Sequence, residues 1–210
     1  MVAAAIAAAL VARGERVAAV KPVITGLDEP PDPDWPHDHE LLASLTAQTP
    51  DEVSPFRFGP PVSPHLAAEL AGVHLDIDEL IASVRDAAAD ADATIVEGVG
   101  GVLVPLAPGS SVGNLIGELR LPVVIAARPG LGTINHTMLT VAWLRSAGAA
   151  IAGVVVTPWP EDPGTVERSN RAAIEHFGGV RVSTLRRVPR AEAAGLAAAG
   201  ASLPLDDWLG

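Results

Sequence analysis

Cysteine is absent from this chain of 210 residues. That absence removes disulfides, thiolate metal sites and cysteine nucleophiles together, and it fits a cytosolic compartment. Basic charge is scarce: 14 lysines and arginines stand against 25 aspartates and glutamates, a formal charge of −11 at pH 7. This balance argues against a general binder of nucleic acid or of an anionic membrane. It leaves room for one phosphate-bearing ligand held by loops and helix ends. No apolar run reaches the ~20 residues needed to cross a bilayer, because Arg13, Glu15 and Arg16 interrupt the first one. The Ala-rich start lacks the basic residues that precede the apolar part of a signal peptide, so no targeting segment is set aside and a cytoplasmic protein is expected. No internal repeat and no linker divides the chain, so residues 1–210 read as one domain with room for a substantial core.

What is present is an alternation of short apolar runs with helical periodicity. Arg16 to Val20, the run ending at Val96, Pro122 to Ala127, Ile151 to Val156 and Val180 to Leu185 read as strands. Helices are expected over Val2 to Arg13, His65 to Ala71, Asp76 to Ala91, Asn114 to Leu119, from about Thr133 to Ala147, over Val166 to Phe177, and from about Ala191. In the third of these Ile77, Leu80, Ile81 and Val84 share a face, with Asp76 and Glu79 in capping-box positions. Prolines between Thr49 and Pro64 mark an extended connection. The pattern predicts an α/β fold: a doubly wound, mostly parallel sheet with helices on both faces. Opening on a helix with no cap, turn or strand before it is unusual for this class, and the chain reads as starting in mid-motif.

The organising stretch is Thr94 to Leu106, an apolar strand that delivers Glu97 to the carboxyl edge of the sheet, where open α/β folds place ligands. Gly98, Gly100 and Gly101 follow and let a ligand approach the backbone. An ordinary glycine turn with a solvated Glu97 fits the same letters. Lys21-Pro22-Val23-Ile24-Thr25-Gly26 puts a lysine and a threonine hydroxyl at that edge. A lysine after a strand is usually a solvated end, yet a cation facing a carboxylate across a cleft suits an anionic substrate. His37-Asp38-His39-Glu40 invites a transition-metal reading, which helix geometry disfavours because adjacent residues do not share a face. Asp38 at the helix start either caps free N–H groups or joins Glu97 in binding Mg²⁺. Gly130 and Gly132 ahead of a helix, with Thr133 and Asn135, fit an anion site or plain capping.

Taken together, Lys21 to Gly26, Asp38, Ser63-Pro64-His65, Val96 to Gly101 and Leu131 to Thr137 stand in the order and approximate spacing of the dethiobiotin synthetases. The resemblance runs from Val2 to about Phe177. It implies a fold like that of P-loop NTPases and an ATP-dependent cyclo-ligase of biotin biosynthesis. Such an enzyme closes the ureido ring of 7,8-diaminononanoate (diaminopelargonate) with CO₂, through a carbamate and a carbamic-phosphoric anhydride. By the same resemblance Asp38 and Glu97 bind Mg²⁺ and, with Gly98 and Thr157, the nucleotide. Lys21 is catalytic and shares the carbamate and transferred phosphoryl group with Thr25. Gly100 and Gly101 line the substrate pocket, and Gly132, Thr133 and Asn135 bind the substrate's far carboxylate across the interface of a homodimer.

The sequence departs from the family in two places. The Gly-rich phosphate loop ending in Gly-Lys-Thr, and the strand before it, have no counterpart ahead of Val2. A start codon assigned too far downstream or a truncated sequence is the expected reason. The chain as it stands is expected to bind ATP poorly, with the neighbours of a central strand left unpaired. Thr157 stands where many relatives carry an asparagine that reads the adenine edge. Two other readings compete: a catalytically impaired paralogue acting as a binding or dimerisation module, and another enzyme of the same ATPase superclass. A cobyrinate-type amidotransferase is disfavoured by the lack of cysteine, and a partitioning ATPase by the Lys21 and Leu131 motifs occurring together.

Overall fold

A computed structural model describes residues 1–209. Alanine dominates α1 (Val2–Ala12), which gives high helix propensity and little girth, and Ala4 to Leu10 are buried on every side. The short strands β1 (Val17–Val20) and β2 (Val23–Ile24) follow, and a proline-rich loop leads to α2 (Asp38–Thr46). The connection from Thr49 to Pro64 is not wholly extended. Pro50 starts α3 (Pro50–Val53), a single turn held by a reciprocal cap: Thr49 N–H donates to Glu52 at 2.6 Å and Glu52 N–H to Thr49 Oγ1 at 3.3 Å. Beyond it β3 (Phe56–Arg57) pairs in parallel with β2.

Next come α4 (Pro64–Ala71) and α5 (Ile77–Ala88), the latter burying Leu80, Ile81 and Val84 as its periodicity predicts. Its cap differs from the expected box: Asp76 accepts from Asp78 N–H at 2.9 Å, so the first turn is satisfied without Glu79. The helix leads into β4 (Ala93–Val96). The stretch on either side of Pro108 folds into an antiparallel pair, β5 (Pro105–Ala107) with β6 (Ser110–Ser111). The remaining elements are α6 (Val112–Leu119), β7 (Val123–Ala127), α7 (Thr133–Ser146), β8 (Ile151–Trp159), α8 (Thr165–Gly178), β9 (Val182–Arg186), α9 (Ala193–Gly200) and α10 (Leu205–Leu209). Among the described residues no helix is long and apolar enough to cross a membrane.

The large sheet is parallel and comes in two pieces, β1 with β4 and β7-β8-β9, with no ladder joining them among the described residues. Ala126, in the middle of β7, is consequently exposed. The two pieces are held by a shared core. Ile95 of β4, Val124 of β7, Val155 of β8 and Leu185 of β9 pack into one cluster with α1, α2 and α9. Across α1 lies α9, so close that a β-carbon on Gly200 would sit 1.9 Å from the Ala5 carbonyl oxygen. Only glycine permits that approach.

At the amino end of the first piece, Arg16 clamps Asp92. Its guanidinium meets the carboxylate at 2.6 Å and 3.1 Å, and its backbone N–H donates to it at 2.9 Å. Those bonds, led by the guanidinium's, hold the Asp92 carboxyl at about 2, well below the usual carboxylate range. Because the folded value lies below the unfolded one, the clamp stabilises the fold above pH ~4 and loses its effect as pH falls towards 2. Asp92→Asn is therefore expected to flatten the acid limb of the stability curve measured by circular dichroism, with its cost largest above pH ~4. Gly200→Ala is expected to destabilise the chain by about 1–3 kcal/mol, as overpacked cores do, and chemical denaturation would measure it.

Candidate functional site

The parallel register of β1 and β4 continues for one residue past both strands, since Glu97 N–H donates to the Val20 carbonyl at 2.8 Å. That brings Lys21 and Glu97 side by side at the carboxyl edge. Lys21 is fixed further by its own N–H, which donates to the Val53 carbonyl at 2.8 Å. From the other side α2 presents Asp38 in its first turn. The Lys21 ammonium donates to Glu97 Oε1 at 2.7 Å and to Asp38 Oδ2. Two carboxylates far apart in the chain thus converge on one point, and the point is held by the only lysine in the sequence.

The Lys21 side chain is 9% exposed, that of Glu97 25% and that of Asp38 44%. Burial is the largest influence on Lys21 and by itself would lower its pKa; the charges of Glu97 and Asp38 and their hydrogen bonds together reverse this and leave it raised. Burial also leads for Asp38, pushing its carboxyl up, and the Lys21 charge and hydrogen bond outweigh it and hold the group lowered. Both directions favour the charged forms of Lys21 and Asp38.

A cavity of about 240 Å³ opens beside this cluster, walled by Lys21, Thr25, Trp35, His37 and Val99 among others. Sequence reasoning passed over Trp35; the signal available was a tryptophan set between Asp34 and Pro36 just ahead of Asp38. Its loop is tied at both levels. Asp34 and Trp35 donate backbone N–H groups to Asp32 at 2.9 Å, and the Asp34 carbonyl accepts from Ala191 N–H at 3.0 Å. A larger hollow of about 610 Å³ lies where β8 begins, at the opposite edge of the sheet. Its arginines are committed, Arg145 to the Gly178 carbonyl at 2.6 Å and Arg181 to Asp207.

The other candidates do not themselves line the Lys21 cavity, though Gly98 and Gly100 flank Val99 of its wall. Gly98, Gly100 and Gly101 are exposed after β4, and Gly100 has φ +71°. Gly132 caps α7 with φ +87°, Thr133 is buried and Asn135 is exposed. Thr157 sits inside the long strand β8, and its buried Oγ1 has no hydrogen-bond partner. His39 is buried, which lowers its pKa, and its ring lies 6.0 Å from that of His37. Among the described residues no group of three or more His, Cys, Asp or Glu side chains is placed to hold a metal. The hard oxygens of Asp38 and Glu97, meeting at one point, fit a cation such as Mg²⁺ that takes one or two carboxylates and completes its shell with water and phosphate.

Comparison with known proteins is decisive for the family. A model described as an AAA domain matches residues 1–194. The ATP-dependent dethiobiotin synthetase of Bacillus subtilis (strain 168) is 35% identical over 179 residues, covering 84% of this chain and 76% of that one. The chain belongs to the dethiobiotin synthetase family. The synthetase of Rhodococcus erythropolis is 36% identical over 182 residues, covering 86% and 78%. That of Mycobacterium avium is 39% identical over 188 residues, covering 89% and 78%. Among solved structures, a Cyanothece McdA complex with ATP aligns at TM-score 0.50 and 12% identity, covering 98% of this chain and 83% of that one. A ParA family ATPase from Chlorobium tepidum aligns at 0.50 and 14%, covering 97% and 86%. At such identities the likeness speaks for the fold alone, and it agrees with the P-loop NTPase-like class expected for the family.

Removing the ammonium should reverse the local pH dependence. In Lys21→Met two carboxylates face each other, so one folded-state pKa rises above its unfolded value, and the variant gains stability as pH falls below that raised value. At neutral pH the loss is expected to be about 2–4 kcal/mol, below the figure for a fully dry pair because Asp38 is partly exposed. Denaturant titrations from pH 4 to 8 would measure both.

Proposed function

We propose that the chain is an ATP-dependent ligase of biotin biosynthesis that makes dethiobiotin from 7,8-diaminononanoate and CO₂. Its relatives support the reading. The observation that carries it is the convergence of Asp38 and Glu97 on the Lys21 ammonium. One substrate amine attacks the carbon of CO₂, loses a proton and becomes a carbamate. A carbamate oxygen attacks the γ-phosphorus of ATP as the bond to ADP breaks, giving a mixed anhydride. The second amine attacks its carbonyl carbon and loses a proton as phosphate leaves and the ring closes.

Each step gathers negative charge, and a dry, fixed ammonium attracts such charge far more strongly than one in water. Lys21 has that role, with the Thr25 hydroxyl donating from the same cavity wall. Asp38 and Glu97 would hold Mg²⁺, which when bound would supply positive charge to offset that of the phosphates. Gly98 and Thr157 face the nucleotide, Gly100 and Gly101 the substrate. Gly132, Thr133 and Asn135, at the amino end of α7, take the far carboxylate from the neighbouring subunit of a homodimer. Leu131, 89% exposed, and Leu139, 61% exposed, border that segment and suit burial against a second copy. The cysteine-free composition accords with the cytoplasm.

A second reading, a binding or dimerisation module without turnover, is favoured by one observation: the 210 residues contain no Gly-x-x-x-x-Gly-Lys-Thr segment. Dethiobiotin formation from 7,8-diaminononanoate, bicarbonate and MgATP, read by mass spectrometry, separates the two. It is to be measured for residues 1–210 and for the chain with the in-frame codons ahead of Met1 included. Product from the longer chain, and little from the shorter, is the expected outcome; none from either favours the module. In the active form Glu97→Gln and Asp38→Asn should each lower turnover on the order of 100-fold, and unchanged turnover would take that carboxylate out of the site.

A further inference from the structure

We infer that the Lys21 ammonium is a resident stand-in for the divalent cation: the two are alternative occupants of one position between Asp38 and Glu97, and the cation's arrival releases Lys21 towards an anion. The inference rests on the metal reading proposed above and adds what the lysine does before and after the metal binds.

The geometry makes the occupants exclusive. Lys21 Nζ lies 2.7 Å from Glu97 Oε1 and also donates to Asp38 Oδ2, so it takes up the oxygens that a cation needs at close range. The charges point the same way. Two carboxylates and one ammonium leave a single negative charge, whereas a divalent cation neutralises both carboxylates and leaves the ammonium beside a dication with no counter-charge. Repulsion in this poorly solvated place is strong. The way out is already there: the cavity of about 240 Å³ beside Lys21, with Thr25 on its wall. A four-carbon stem reaches it by rotamer change.

Two consequences follow for binding. The cation alone binds weakly, since it must first break both contacts of Lys21. Once it is bound, the freed ammonium awaits an anionic group of the phosphate or carbamate class, so cation and anion favour each other reciprocally. No other lysine in the chain can take its place.

The probe is Mn²⁺ without nucleotide, with the free aquo ion followed by electron paramagnetic resonance. Lys21→Met is expected to bind Mn²⁺ at least about tenfold more tightly than the native chain, with the gain abolished in Lys21→Met/Glu97→Gln. Equal or weaker binding by folded Lys21→Met overturns the inference. Because that variant leaves two carboxylates unneutralised and can unfold, a second measurement uses the native chain. Acetylation of Lys21, mapped by peptide mass spectrometry, should rise severalfold at saturating Mn²⁺, and unchanged reactivity also overturns the inference. The two possible failures are distinguishable. Mn²⁺ binding that ignores Asp38→Asn and Glu97→Gln defeats the metal reading and the inference together. Binding that needs both carboxylates while Lys21 stays protected defeats only the exchange.

Discussion

The structure depends on one buried cation held by two anions. Lys21 is nearly dry, and an ammonium without partners in such a place is costly enough to lose its proton or unfold its surroundings. Glu97 and Asp38 supply the partners, and in doing so they fasten the end of β1, the start of α2 and the end of β4 to a single point. The Arg16–Asp92 clamp sits at the other end of the same two strands. Between them the exposed pair and the buried pair leave β1 and β4 one register. A slip by one residue would turn Lys21 or Glu97 to the opposite face of the sheet.

The apolar packing serves the same arrangement. α1 packs on β1 and β4, shares one apolar cluster with side chains of β7, β8 and β9, and is covered in turn by α2 and α9. A helix enclosed on every side cannot show an amphipathic stripe, and its run of alanines keeps it thin enough for such close neighbours. The apolar side chains around it join β4 to β7 and β8 where backbone hydrogen bonds do not.

Much of this was legible in the letters. Period-3.6 spacing located α5, short β-rich runs located β1, β4, β7 and β8, and the placing of Lys21, Asp38 and Glu97 after strands or at a helix start foretold their shared edge. Their convergence follows from parallel pairing, which sends successive strand ends to one side. The rest was not local. The place of Trp35 in the cavity wall depends on a loop tied to Ala191, a partner more than 150 residues away that no sequence window contains. The two-residue strands β2 and β3 and the single turn α3 are too short for periodicity to declare. Whether Asp76 would cap Asp78 or Glu79 is a matter of rotamer rather than spacing. The division of the sheet depends on which strands lie beside one another, which the alternation of strand and helix leaves open.

The contact of Ala5 with Gly200 joins segments almost a chain length apart. Until α9 has been synthesised, α1 has an uncovered flank of alanine and leucine, and nearer segments cannot supply the missing surface. The core around α1 is therefore completed only once α9 has left the ribosome. Folding should be governed by this long-range closure rather than by helix formation, which is fast. During synthesis, the exposed first helix is the segment a chaperone would be expected to shield.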